Sequence, residues 1–340
     1  MKTNIKEIAK ITGFSTTTIS RYFNHPEKLS EKTGRKIKAV ITKYGFVPNE
    51  LARGLRSKRK NLVAIILKKE HESFLSFPYF SVFSNQVLKT LSGEKIYTIT
   101  TFEESDKKPH MTYRSFVQKN LVDGFIVMGM AENDKRIKFL LDQNENFVTV
   151  GRNHSSDNYT WVDCDNVQGG FLATNHLVKK GCQRILFFGG FLESCDTKMR
   201  LQGYRNALEE NNIKFRRNYV YPGDFTGMIM QNPEDNFERF ADLKTLIINQ
   251  RIEGVFAVSD VAAIGLIKML KHMKIKIPVV GFDDVSLARI YEPTLTTIRQ
   301  PIEKIAEKVA TKLIQKINGE SPQSEMVKVE LIERESSNIS

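Results

Sequence analysis

No stretch of this 340-residue chain stays apolar over the length needed to cross a bilayer. Its opening, MKTNIKEIAK, has no apolar core of the kind a secretory signal carries. Lacking both, the protein is expected in the cytoplasm. Cysteine is scarce. Cys164, Cys182 and Cys195 are odd in number and lack zinc-ligand spacing, which argues against a disulfide framework or a structural zinc site and leaves buried or incidental thiols. Catalytic signatures are missing too: there is no P-loop, zinc-protease helix or nucleophile elbow. The Gly189-Gly190 pair reads as a strand-end turn. His176, in ATNHLVKKG, has no cysteine, serine or carboxylate at a suitable spacing, so it is assigned to packing or a local hydrogen bond. No enzymatic activity, catalytic residue, cofactor or metal is expected, and neither a solenoid repeat nor a low-complexity tract appears.

The charge that is present is unevenly spread. The first 60 residues hold 15 of the 51 Lys and Arg but only 4 of the 39 Asp and Glu, leaving the rest of the chain nearly neutral at 36 against 35. A positive patch confined to one small module suits phosphate binding, because neutralising a nucleic-acid backbone releases condensed counterions and supplies sequence-independent affinity.

That module reads as helix, tight turn, helix. Asn4 can cap a helix to Thr12, with Glu7 three residues on and Ile5, Ile8, Ala9 and Ile11 at helical spacing; Gly13 breaks it. After Phe14 and a Ser15 cap, Thr16 to Asn24 places Ile19 and Phe23 on one face and Thr16, Thr17, Ser20, Arg21 and Asn24 on the other. An anchored apolar side opposite small hydroxyls and an arginine suits a DNA major groove. A third helix is predicted over Glu31 to Lys43, capped by Ser30, with Ile37, Val40, Ile41 and Tyr44 closing a three-helix core. Pro48 stops the chain from continuing it, and Asn49 can cap a further short helix.

The stretch NIKEIAKITGFSTTTISRYFN, then LSEKT, then YGFVPNELARGL, closely resembles the headpiece of the lactose-repressor (LacI/GalR) family of bacterial transcription regulators. The shared elements are A-x-x-x-G-F-S-x-x-T-I-S-R, S-x-K-T, G-F-V-P-N and A-R-G-L. The family usually carries a larger side chain where this chain has Gly34, a departure expected to cost about 1 kcal/mol relative to alanine. The resemblance also assigns Glu50 to Ser57 to a hinge helix that forms only when two subunits pair over DNA. At eight residues it is too short to hold alone, since isolated helices below roughly 12 to 15 residues are marginal in water. Leu55 matches a leucine that pries apart the central base step from the minor groove, and Arg53 with Arg56, Lys58, Arg59 and Lys60 can contact phosphates.

From Leu62 onward LVAIIL, IYTITTF, GFIVMG, FVTVG, RILFFGG, GVFAV and IPVVGF alternate with helix-length segments, which argues for parallel sheets with helices on both faces. The expected fold is an N-terminal all-α helix-turn-helix headpiece over residues 1–48, a hinge over 49–60 and a doubly wound α/β effector-binding and dimerisation domain over 61–340. The resemblance implies the two-lobed periplasmic-binding-protein fold, with crossings near Thr160, Ile290 and Pro322, so that one lobe holds about 61–160 plus 291–322 and the other about 161–290 plus 323–335.

In open α/β sheets a ligand sits at the carboxyl ends of the strands. By resemblance Arg200, in MRLQGY, holds effector hydroxyls or carboxylates with its guanidinium fork, Asp283, in GFDD, accepts from sugar hydroxyls, and Phe225, in GDF, packs on the ligand face. Ser259 and Asp260 stand where many members carry Asn-Asp, and the shorter serine puts a copied sugar specificity in doubt. Tyr79 and Phe80, in FPYF, and Arg152, after FVTVG, are further candidates. The expected function is a dimeric regulator, most simply a repressor, binding pseudo-palindromic operator DNA through Ser15, Thr16, Thr17, Ser20, Arg21, Asn24, Asn49, Arg53 and Leu55 under control of a small mono- or disaccharide effector. Rival readings are a regulator answering to a phosphorylated metabolite or protein partner, and a sugar-binding receptor; the receptor should lack residues 1 to 57.

Overall fold

The computed structural model describes residues 4–46, 59–68, 78–103, 110–153, 158–223 and 240–338, the side chain of Asn24 apart. It divides into two compact units, Met1–Lys60 and Asn61–Ser340.

In the first unit, helix α1 (Ile5–Thr12) opens with a full capping box: Asn4 Oδ1 accepts from the N–H of Lys6 and Glu7, and Glu7 Oε2 accepts from Asn4 N at 3.0 Å. It ends at Gly13, whose φ of +73° is the left-handed conformation that glycine adopts without a Cβ clash. Helix α2 (Thr16–Asn24) comes directly after, capped by Ser15, and α3 (Glu31–Tyr44) is capped by Ser30. Ile8, Ala9, Ile19, Ile37 and Phe46 form the core, with Ile5, Phe14, Tyr22, Phe23, Val40 and Ile41 packed around it. Tyr44, expected inside, is 44% exposed. The left-handed turn at Gly45 brings Phe46 back so that its N–H bonds to the carbonyl of Ile41 at 3.1 Å, and Phe46 closes the core in place of Tyr44. The hinge residues Asn49, Arg53 and Leu55 lie outside the described residues, as does Phe225.

In the second unit two six-stranded sheets carry the fold. One runs β11 (Glu325–Val327), β5 (Trp161–Cys164), β4 (Phe147–Val150), β3 (Gly124–Val127), β1 (Leu62–Leu67), β2 (Tyr97–Phe102); its pairings are all parallel. The other runs β12 (Glu330–Ile332), β10 (Thr296–Arg299), β9 (Val279–Asp283), β8 (Gly254–Ala257), β6 (Ile185–Phe188), β7 (Val220–Tyr221); only β10 with β12 is antiparallel. Every one of the seven apolar runs forms a strand. The strands β5, β7, β10, β11 and β12 are not legible from apolarity, because they are short or carry polar side chains. Buried Thr296 and Thr297 of β10, for instance, bond to the carbonyl of Arg334 and to the Asp260 carboxylate.

Among the described strands the chain crosses between sheets three times, each time later than expected. Strand β5 stays in the first sheet, where Trp161 pairs with Thr149, so the first crossing comes after Cys164 rather than at Thr160. Strand β10 pairs with β9, which moves the second from Ile290 to Gln300. Strand β11 pairs with β5, which moves the third from Pro322 to Lys328. The rule is physical: a paired strand runs to its end before the chain leaves the sheet, since an interrupted ladder would strand buried peptide groups.

The helices that position the ligand crevice are α4 (Pro78–Gly93), α6 (Lys135–Asp142), α7 (Asn166–Lys179), α8 (Cys195–Glu210), α10 (Asp260–His272) and α12 (Ile302–Ile317), with α5 (His110–Gln118), α9 (Ala241–Asn249) and α11 (Ser286–Ile290) completing the unit. Helices α7 and α8 touch backbone to backbone. A Cβ on Gly170 would stand 2.1 Å from the carbonyl oxygen of Arg200, and one on Gly203 would stand 1.9 Å from that of Val167. That close approach brings Asn166 and Arg200 within reach of each other.

Candidate functional site

Helix α2 presents the surface that the sequence pointed to. Ile19 is fully buried, whereas Thr16, Thr17 and Arg21 are exposed or partly so and Ser20 is half-buried. Ser15 is already engaged: its Oγ accepts from Thr18 N at 3.1 Å and lies 2.9 Å from Thr18 Oγ1, so it first fixes the start of the helix. Lys6, Lys10, Lys28, Lys32, Lys36, Lys38 and Lys43 also stand on the surface, so the headpiece charge faces outward.

In the second unit a cavity of about 260 Å3 opens where the strands of both sheets end. Leu67 ends β1 and Lys68 comes after it, Met128 and Gly129 lie just beyond β3, Val150 and Gly151 close β4, and Asp163 and Cys164 end β5; from the other lobe come Ser259 after β8 and Asp283 at the end of β9. Arg200 is 5% exposed and reaches this cavity from the first half of α8. Its Nε donates to Asn166 Oδ1 at 2.8 Å, a terminal nitrogen donates to the carbonyl of Val258, and the guanidinium lies 3.6 Å from the centroid of the Phe282 ring. Held on three sides, it is pre-aimed. Gln300 Nε2 donates to Asp283 Oδ1 at 2.6 Å. Burial pushes the Asp283 carboxyl up to about 6, against the pull of Arg200 and of Gln300. Asp283 also sits at φ +124°, a conformation a side-chain-bearing residue seldom adopts, at the strand end where it faces the crevice.

The two lobes meet around the cavity. The loop after β3 runs against the start of α8: Ala131 and Ser194 form an antiparallel bridge, Cys195 N donates to the carbonyl of Met130 at 3.1 Å, and Lys198 pairs with Glu132.

Of the effector residues expected from sequence, Tyr79, Arg200, Ser259 and Asp283 line this cavity; Ser259 also caps α10 by accepting from Ala262 N at 3.1 Å. Three do not line it. Phe80 is 4% exposed and turned into the core, because it stands one helical step beyond Tyr79. Asp260 accepts from Val285 N at 2.9 Å and from the Thr297 hydroxyl, so its carboxylate ties α10 to the chain after β9. Arg152 stacks over Trp161 at 5.1 Å and stands 3.8 Å from Asp163 Oδ2, just behind the wall. Asp163, Asn166, Asp196 and Gln300 line the cavity although no motif in the sequence marks them. Asp196 was within reach, standing one turn before Arg200 on the same helix face; Asp163 is hidden because WVDC, with a carboxylate in its third place, does not look like a strand. His176 bonds Ser337 Oγ at 2.8 Å, a side-chain contact inside the fold. Among the described residues no three His, Cys, Asp or Glu are placed to hold a metal ion, and no described helix is long and apolar enough to cross a membrane.

Comparison with known proteins agrees with this geometry. Residues 4–49 match the model of bacterial regulatory proteins of the lacI family, and residues 174–337 match a periplasmic binding protein-like domain. The HTH-type transcriptional repressor PurR of Actinobacillus pleuropneumoniae serotype 5b (strain L20) is 26% identical over 94% of this chain and 92% of its own. The HTH-type transcriptional regulator CelR of Thermobifida fusca is 27% identical over 98% and 97%. Among solved structures, a transcriptional regulator CelR–cellobiose complex matches at 25% identity with a TM-score of 0.73, over 98% of this chain and 100% of that one. A lac repressor dimer bound to operator and the anti-inducer ONPF shares the fold at 21% identity with a TM-score of 0.83, over 99% of both. With relatives spanning nearly its full length, this chain carries the DNA-binding domain of the lacI family of bacterial regulatory proteins joined to a periplasmic binding protein-like domain.

Proposed function

We propose that this protein is a dimeric, non-enzymatic transcriptional repressor that binds a pseudo-palindromic operator in the cytoplasm and is controlled by a small carbohydrate-like effector held between its lobes. The observation that carries the DNA-binding part is α2, rigidly capped, with Ile19 buried and Thr16, Thr17 and Arg21 on its outer side. Laid in a major groove, Arg21 can fork onto a guanine edge while the threonines meet a thymine methyl or a base acceptor. Two copies related by a two-fold axis require two half-sites. Leu55, by its match to the family leucine, is the wedge for the operator centre.

The effector part rests on the cavity, whose Arg200, Asp283, Ser259 and Gln300 offer the mixed donors and acceptors that orient a polyhydroxylated ring, with Tyr79 and Met128 as apolar wall. The relative captured with cellobiose, similar along its whole length, supports a sugar-like ligand. Binding would favour one arrangement of the lobes and so change the equilibrium between operator-competent and incompetent dimers.

The test is selection of operator sequences from random duplexes with the purified protein, then titration of the selected site with candidate effectors. Recovery of an inverted repeat whose affinity changes with one sugar-like compound, and no longer does so in Arg200→Ala, supports the reading. Recovery of no preferred sequence overturns it.

A further inference from the structure

Among the described residues four carboxylates and two cations line the cavity, and two of the carboxylates are placed where little can serve them. Asp163 has a side chain only 5% exposed; its Oδ1 accepts from Asn166 Nδ2 at 2.9 Å, whereas its Oδ2 has no hydrogen-bond partner and faces the Arg152 Nε at 3.8 Å. Asp196 Oδ1 is likewise buried without a hydrogen-bond partner, tucked against Gly151, where a Cβ would stand 3.1 Å from it. Asp283 has its bond from Gln300, and Glu193 and Lys68 complete the charged lining. Among the described residues Arg200 is the one guanidinium on the lining for three aspartates, and two of its donors are turned to Asn166 and Val258.

Carboxylate oxygens left without a hydrogen bond in a desolvated pocket are costly, and the cost is relieved by an opposite charge that also donates hydrogen bonds. A phosphate or carboxylate ligand would deepen the imbalance. A neutral sugar would fill the acceptors and leave the excess negative charge in place. An ammonium does both, with three donors on one atom. Resting on the reading of this cavity as the effector site, we propose that the effector is a polyhydroxylated amine, such as an amino sugar, whose ammonium group sits between Asp163 and Asp196 while its hydroxyls face Arg200 and Asp283. Burial raises the Asp196 carboxyl and pushes that of Asp163 well above its ordinary value, the charge of Asp196 pushing Asp163 further, so both ionise more readily once an opposite charge sits between them.

The experiment is thermal unfolding of the full chain against matched trios that differ at one substituent: glucosamine, glucose and glucose 6-phosphate, with the galacto and manno trios beside them and tris(hydroxymethyl)aminomethane as an acyclic amine. The expected result is a concentration-dependent rise in melting temperature with at least one amine, at least tenfold tighter than its hydroxyl partner, and none with the phosphate. In Asp163→Asn and Asp196→Asn, which keep size and shape, the tenfold preference should fall away. A neutral or phosphorylated sugar that binds while its amine partner does not overturns the inference and leaves the effector cavity standing, provided Arg200→Ala abolishes that binding. No response to any compound of the panel, or a response indifferent to both the Asp196 and Arg200 variants, overturns the inference together with the assignment of this cavity.

Discussion

Lys198 and Glu132 form an ion pair from one lobe to the other, with Nζ 2.7 Å from Oε2. The pair stands beside the Ala131–Ser194 bridge, at the rim where both lobes border the cavity. Both side chains are partly in water, at 32% and 49% exposure, so the bond is screened and contributes under about 1 kcal/mol. Lys198→Met should therefore barely move the melting temperature yet weaken effector binding several-fold, and the difference from wild type should shrink at high salt. Effector titrations at two ionic strengths check this.

Arg21→Ala should cost about 1–3 kcal/mol of discrimination between operator and random DNA. Loss of one phosphate-contacting lysine should instead weaken all duplexes alike and flatten the salt dependence. Competition binding against an unrelated duplex separates the two; an unchanged operator preference in Arg21→Ala would remove the arginine from base reading.

Two glycines in helices should behave oppositely on substitution by alanine. In α3 the Cβ of a residue at Gly34 would stand 4.0 Å from Tyr22, an ordinary contact, so Gly34→Ala should stabilise the headpiece by about 1 kcal/mol. In α7, Gly170→Ala would drive its Cβ into the backbone carbonyl of Arg200, force α7 and α8 apart and displace the arginine. Melting curves should show the first variant raised and the second severely lowered, with effector response lost in the second.

The stability of the effector-free protein should respond to pH through Asp283. Its carboxyl is raised from 3.8 to about 6 in the fold, so between those values the folded state keeps a proton that the unfolded chain has released. That contribution to stability is complete below 3.8, falls as pH rises to about 6 and is flat beyond. Asp283→Asn, which can still accept from Gln300, should be more stable than wild type at neutral pH by about 3 kcal/mol and no more stable at pH 4. Denaturant midpoints across this range measure it, and an equal gain at both ends would show that the carboxyl does not titrate as stated.

How far the fold and the site can be read from sequence depends on where each residue's partner lies. The headpiece is legible nearly whole, because its signals are local: Asn4 with Glu7, Gly13, Ser15 and Ser30 each act within one turn. Tyr44 is misplaced by helical spacing because the choice between it and Phe46 is made by the turn at Gly45. In the larger unit the apolar runs show the central strands, whereas β5 and β10 bury Asp163 and the threonines, the latter against partners far along the chain. For the same reason Asp260 looks like a ligand residue: a carboxylate at a strand end has the same appearance in sequence whether it faces a crevice or a distant N–H, here that of Val285.

Each sheet has one edge strand, β11 or β12, drawn from residues 325–332, and the helix α12 that covers the first sheet precedes them only slightly. During synthesis the headpiece, whose core is complete by Phe46, can fold as soon as it leaves the ribosome. Each lobe, by contrast, completes its sheet only with an edge strand from residues 325–332. The nascent polypeptide thus carries a finished headpiece before either sheet of the larger unit is complete.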